Sequence, residues 1–283
     1  MKKLDRIFEK LRKQKRASDS EILDEIDEAL FQDDFERALE LIHELENEQN
    51  IIVAVRVFIR KIIKKASGME KGESSIYIKL LQNLIPIING VQSERYRAIL
   101  FGDLAIAFYL LGAELEGDLA LKAAIHLALR HPEVLRDILF PLIRSGLLDK
   151  ASYIMKLIKD PEQLDIVLSY LAEVLYERGE KEKAMSLLDF MACNFHRAVT
   201  LMHFAQYEKE RNRERALELI DKAIELAERI SNADVRFELM LKLQDLRHEI
   251  LGEPLTITRI LSKENPREKK QDSSQDDGKG GET

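Results

Sequence analysis

The chain of 283 residues has no Trp, one Cys, 12 Gly and 6 Pro. One cysteine, Cys193, excludes an internal disulfide framework and leaves too few thiolates for a structural zinc site. So few Gly and Pro argue against a sandwich or barrel assembled from many short turns. Long apolar runs are absent as well. The most apolar stretch, IIVAVRVFIRKII, is broken by Arg56 and Arg60, whereas a bilayer span needs about 20 apolar residues. The N-terminal sequence MKKLDRIFEKLRKQKR lacks the apolar core of a signal peptide. These absences set the expectation of a cytoplasmic protein in a reducing compartment, with no membrane partner.

What is present favours helices. The composition is 45% apolar and 34% charged, rich in Leu, Glu, Lys, Arg and Ala, the good helix formers. The net charge of −7 is distributed in blocks. Residues 1–16 carry eight Lys and Arg for a net of +6, residues 17–50 a net of −12, and residues 51–72 a net of +5. Such blocks either neutralise one another in the folded chain or an oligomer, or form an interaction surface.

Apolar residues recur at helical spacing along most of the chain. Leu4, Ile7, Phe8 and Leu11 mark a basic amphipathic helix. Ser18 or Asp19 offers an N-cap for a helix near Glu21, and a second helix carries Phe35, Ala38, Leu39, Ile42 and Leu45 inward. Further helices are predicted at 51–66, 75–89, 94–111, 116–130, 133–145, 148–158, 163–178, 181–192, 196–210, 213–230 and 233–250. Pro86 and Pro141 fall inside two of them and are expected to kink them. LTITRIL at 255–261 reads as extended. From Ser262 the composition cannot bury enough surface to offset ordering, so a disordered tail is expected.

The predicted helices pair, and the pairs repeat. Ala120, Ala151, Ala184 and Ala216 recur at steps of 31, 33 and 32 residues. Gly146 and Gly179 each precede their alanine by five. Leu142 and Leu175 precede those glycines by four. A period of 30–40 residues in helix pairs is the signature of a stacked array, in which one hairpin buries its apolar face on the next.

The segments LIRSGLLDKASYIMKLI, LYERGEKEKAMSLLDFM and YEKERNRERALELIDKAIEL resemble tetratricopeptide repeats. Residues 98–132 join them through Phe101, Leu104, Ala105 and Phe108, then Ala120, Ala124, Leu127 and Pro132, after a turn three residues longer than the family's. Leu139 and Phe204 replace the family's small first-helix residue, which Ala105 and Ala172 keep. The 51–90 pair lacks the alanine signature. The resemblance implies an all-α fold, a right-handed α-solenoid of helix-turn-helix, TPR-like repeats. It divides the chain into an N-terminal helix (1–16), weakly repeat-like pairs (17–97), repeats with a capping helix (98–251) and an extended segment with a tail (252–283). It also implies a concave groove lined by Ile106, Tyr109, Arg136, Phe140, Ile143, Glu173 and Tyr176, either open to a partner or covered by the N-terminal helix, the tail or a second copy.

Motifs for catalysis are missing. GMEKGESS lacks the Gly-Lys-Ser/Thr ending of a phosphate-cradling loop, and no nucleophile elbow, HExxH or dinucleotide fingerprint occurs. Cys193, His196 and His203 are the one constellation worth weighing as ligands. The break expected between 192 and 196 spoils their spacing, and no carboxylate accompanies them. No metal or cofactor is therefore expected. Nucleic acid is disfavoured because the −12 block separates the two basic ones and no exposed aromatics interleave with the cations. The expected function is a non-catalytic adaptor, scaffold or regulatory subunit that binds another protein. A homo-oligomeric structural protein, or a nucleic-acid-associated regulator using the basic N-terminal helix, stands as the alternative.

Overall fold

The computed structural model describes residues 18–66 and 74–253. The helix expected at 1–16, most of the GMEKGESS segment, the segment 255–261 expected to be extended and the tail from 262 lie outside the described residues. Thirteen α-helices and no strand occur among the described residues. No described helix is long and apolar enough to cross a membrane. The chain divides into two compact units, Met1–Gln163 and Leu164–Thr283.

The described part of the first unit holds α1 (Asp19–Phe31), α2 (Phe35–Glu44), α3 (Glu48–Ala66), α4 (Ser74–Gly90), α5 (Glu94–Leu110), α6 (Glu114–Ala128), α7 (Val134–Arg144) and α8 (Leu148–Met155). Each helix packs on its successor, and α1 on α3, α3 on α5, α5 on α7 and α2 on α4. No break therefore falls at 97/98, where a domain boundary was expected, because α5 packs on both α3 and α4. The helices run through Pro86 in α4 and Pro141 in α7.

α1 starts where its cap dictates. The Ser18 hydroxyl accepts from the Glu21 N–H, and the Glu21 carboxylate accepts from the Ser18 N–H, a reciprocal box that satisfies two donors at the helix start. Asp19 is thereby freed for another task. It accepts from the N–H groups of Glu46 and Asn47 and from the Asn50 amide, tying the start of α1 to the entry into α3. Phe35 of α2 meets Phe58 of α3 and Tyr77 of α4 edge-on, at ring separations of 5.6 and 5.4 Å.

The second unit begins inside the first turn of α9 (Pro161–Glu177). It continues with α10 (Lys181–Leu187), a 3-10 turn (Leu188–Phe190), α11 (Asn194–Glu208), α12 (Arg213–Glu228) and α13 (Ala233–Leu251). α11, α12 and α13 pack pairwise on one another. α8 and α10 stop short of the ends expected at 158 and 192.

One turn geometry recurs in both units. Asp33, Gly112, Gly146, Gly179 and Gly252 have φ of 63°, 78°, 80°, 87° and 69°. The N–H after each bonds the carbonyl five residues back: Asp34 to Ala29, Ala113 to Phe108, Leu147 to Leu142, Glu180 to Leu175 and Glu253 to His248. This is the left-handed helix stop that satisfies a terminal carbonyl. Asp33 adopts it without being glycine, its carboxylate held by Lys61 and Lys65 at 3.5 and 2.6 Å. Five residues beyond the first four of these turns stand Ala38, Gly117, Ala151 and Ala184. The register expected at Ala120 is thus corrected to Gly117, and the turn before it is no longer than the others. Gly117 is small for a physical reason: a Cβ there would sit 2.6 Å from the Tyr109 ring.

Candidate partner-binding surface

The residues expected to line a groove are held in different ways. In the first unit Ile106, Tyr109 and Ile143 are buried, at 2%, 6% and 0% exposure. α5 packs against α3, α4, α6 and α7, so its Ile106–Tyr109 edge is core and offers no wall to a docking peptide. Arg136 and Phe140 of α7 are half-buried. In the second unit Tyr176 is 1% exposed and Glu173 half-buried. The expected row is corrected accordingly: Ile106, Tyr109, Ile143 and Tyr176 hold their own units together.

Tyr109 and Tyr176 do this with the same chemistry. Each stands three residues before a left-handed glycine, at the end of its helix. The Tyr109 hydroxyl donates to Asp118 at 2.7 Å. Lys150 of α8 donates to the same carboxylate at 2.7 Å and lies 4.5 Å over the tyrosine ring. The Tyr176 hydroxyl donates to Glu208 at 3.0 Å, and Lys181 pairs with that carboxylate while lying 5.4 Å over the ring. Burial, reinforced by the carboxylate, raises both phenols, Tyr176 to about 12. The Lys150 ammonium and the Tyr109 hydroxyl hold Asp118 below the usual carboxylate range. Burial pushes Glu208 up, but Lys181 and Tyr176 outweigh it and leave the carboxyl lowered.

Between α9 and α11 these contacts extend into a polar seam. Asp165, 2% exposed, accepts from the N–H groups of Ala192 and Cys193 at 2.9 and 2.7 Å. Ser169 and Thr200 share a bond of 2.7 Å, and Glu173 pairs with His203 Nδ1 at 2.6 Å. Asp165, Ser169, Glu173 and Tyr176 follow one another at spacings of four, four and three, one stripe of a helix. That spacing was the signal in the sequence, hidden because polar residues at a helical period read as a solvated face. The same contacts separate the histidines and cysteine weighed as ligands. Cys193 is an exposed N-cap residue and His203 belongs to Glu173. Among the described residues, no group of three or more His, Cys, Asp or Glu is arranged to hold a metal.

The open relief lies elsewhere. In the second unit a cleft of about 520 Å³ runs between the α10 end, α11 and α12. Met185, Leu188, Leu201 and Leu226 contribute its apolar lining, and Arg197, Lys222 and Arg229 its cations, against the carboxylates of Asp189 and Glu225. Arg197 is fixed by donating to the Met191 carbonyl, which places its guanidinium as part of the wall.

No known protein family matches the chain, and no curated protein matches it.

Proposed function

We propose that the chain is a non-catalytic adaptor, scaffold or regulatory subunit, built as a right-handed solenoid of tetratricopeptide-like hairpins, that binds an amphipathic helix or peptide of a partner protein. The observation carrying this reading is the recurring hairpin: a left-handed stop, a bond to the carbonyl five residues back, and a small residue five positions on. Repetition of this kind builds surface rather than a reaction centre. Further support comes from carboxylates near the starts of α1, α3 and α9. Asp19, Glu48 and Asp165 accept N–H groups at the entries to α3, α5 and α11. A free, exposed Cys193 fits a reducing cytoplasm.

The cleft between α10, α11 and α12 is the proposed contact surface. An apolar floor suits the apolar face of a helix, and three cations against two carboxylates favour a partner with acidic flanks. A benzophenone amino acid at Leu226, irradiated in native lysate, tests this. Recurrent cross-linking to one other protein supports the reading. Cross-links to nothing, or to a second copy alone, refute it.

Self-cross-linking would instead favour a homo-oligomeric structural protein. That second reading draws on the acidic face of α1, where Glu21, Asp24, Asp27 and Glu28 are exposed and the +6 segment of another copy would find opposite charge.

A further inference from the structure

The turn register sets one row of each hairpin toward water. Counted from the small residue that follows a left-handed stop, the positions two before, two after and five after are exposed. Around Ala38 they are Glu36, Glu40 and His43. Around Ala184 they are Glu182, Ser186 and Asp189. Around Gly117 the same three places hold Leu115, Leu119 and Lys122. This row continues along α6 through His126 to Leu129 at helical spacing, one stripe of the helix. Its three leucines are 70%, 59% and 56% exposed. α6 packs on α5 and α7 and buries Ala120, Leu121, Ala124 and Ala128, so these leucines add nothing to the core of the unit. Tyr153 of α8, 60% exposed, takes the place of Leu119 in the next hairpin, which the Lys150–Asp118 bond ties to α6. A single exposed leucine is ordinary. A row of them, where equivalent helices show charge, marks a surface made to be covered.

We propose that this row of α6 is a docking surface for an amphipathic helix of another protein, with apolar residues near both ends and Asp or Glu at its middle. Leu115 and Leu129 are about 21 Å apart along the helix, so an occupant reaching both needs about four turns. Between the leucines stand Lys122 and His126. The carboxylate that acts on Lys122, Asp118, is already held by Lys150 and the Tyr109 hydroxyl. His126 makes no hydrogen bond or ion pair among the described residues. A carboxylate brought in by the partner would therefore meet an ammonium and a ring N–H that lack one. The surface belongs to the first unit alone, and the proposal stands whether or not the second-unit cleft binds anything.

Charge decides against the other occupants. Two copies of α6 laid antiparallel, Leu115 against Leu129, set Lys122 of each copy against Lys122 of the other, and laid parallel they set every charge against itself. An anionic membrane would meet Glu114 and Glu116 beside Leu115. A separate helix can place a carboxylate over Lys122 and leave the Leu115 end free of one.

The test uses the full chain and two stapled synthetic helices of about four turns, with leucine at both ends and either Glu or Lys at the middle, followed by fluorescence anisotropy. The Glu helix is expected to bind at least about tenfold more tightly than the Lys helix, and Lys122→Glu to reverse that order. Leu115→Ser/Leu119→Ser should weaken the Glu helix by about tenfold or more at an unchanged melt, because both side chains are exposed. Binding of neither helix, equal binding of both, or binding indifferent to the leucines overturns the proposal. Loss of binding in Lys222→Glu/Arg229→Glu instead would move it to the second-unit cleft and also overturn it. So would a wild-type dimer in sedimentation, or retention on phosphatidylserine vesicles, that Leu119→Ser abolishes.

Discussion

α5 and α9 are both helices of 17 residues, yet they are held by opposite means. Every residue of α5 from Leu100 to Tyr109 is buried, and nearly all are apolar. Its one buried carboxylate, Asp103, is raised by desolvation against the pull of Arg56 at 2.9 Å. α9 buries Val167, Leu168, Ala172 and Val174 too, but meets α11 through Asp165, Ser169, Glu173 and Tyr176. Apolar burial is non-directional and tolerates small shifts. A polar seam is directional, so it fixes which residue of α11 sits opposite which residue of α9, and it fails sharply when one partner is lost.

The comparison can be broken hardest by volume. Gly117→Ala places a methyl against the Tyr109 ring, whose hydroxyl is tied to Asp118, and is expected to cost about 1–3 kcal/mol. Ala184→Leu, at a site 0% exposed in the second unit, is expected to cost as much. Denaturant melts check both, and neutral outcomes would dismiss the turn register. Next comes Asp165→Ala, which leaves two N–H groups at the α11 entry without their acceptor, a loss of about 1–3 kcal/mol. Glu21→Ala, removing an exposed half of the capping box, should cost less than that. Equal losses would mean that the seam contributes nothing special. Smaller still are Tyr109→Phe and Tyr176→Phe, each about 1 kcal/mol. Tyr176→Phe should cost more, because the Glu208 side chain is 2% exposed and that of Asp118 47%, so water replaces the lost donor only at Asp118.

The smallest effect separates the two helices by pH. The hydrogen bond to Glu173 raises His203 above its ordinary 6.5. A raised histidine contributes stability that is fully present below its unfolded pKa and is lost as pH rises through the folded one. Thermal melts of the full chain should therefore fall from pH 6 toward pH 8, and His203→Gln should flatten that slope. Arg56→Gln, at the α3–α5 contact, should leave it unchanged. A slope that survives His203→Gln would remove the seam as its source.

Much of the helical order was legible in the sequence, because Leu, Ile and Ala at period 3.6 report burial directly. The boundaries of α5, α9 and α12 fell within a few residues of their expected places. The repeat register at Gly117 is not legible from alanine spacing, because the constraint there is smallness beside Tyr109 and glycine meets it. The groove row differs from the structure for a related reason. Ile106, Tyr109, Ile143 and Tyr176 occupy the spacing that the family resemblance assigns to an open face, but spacing alone does not say how many helices surround α5 or which carboxylate waits for a tyrosine hydroxyl. The cleft of the second unit has no signature in the sequence, since Met185, Leu201 and Leu226 come from three different helices, α10, α11 and α12.

The most direct measurement of partner binding at that cleft is quantitative capture from native lysate. Wild type is compared with Lys222→Glu/Arg229→Glu, two exposed substitutions, each with its thermal melt recorded. The proposed adaptor predicts that a protein retained by wild type is lost at least tenfold by the variant, about 1.4 kcal/mol, at an unchanged melt. Equal retention by both proteins would contradict it.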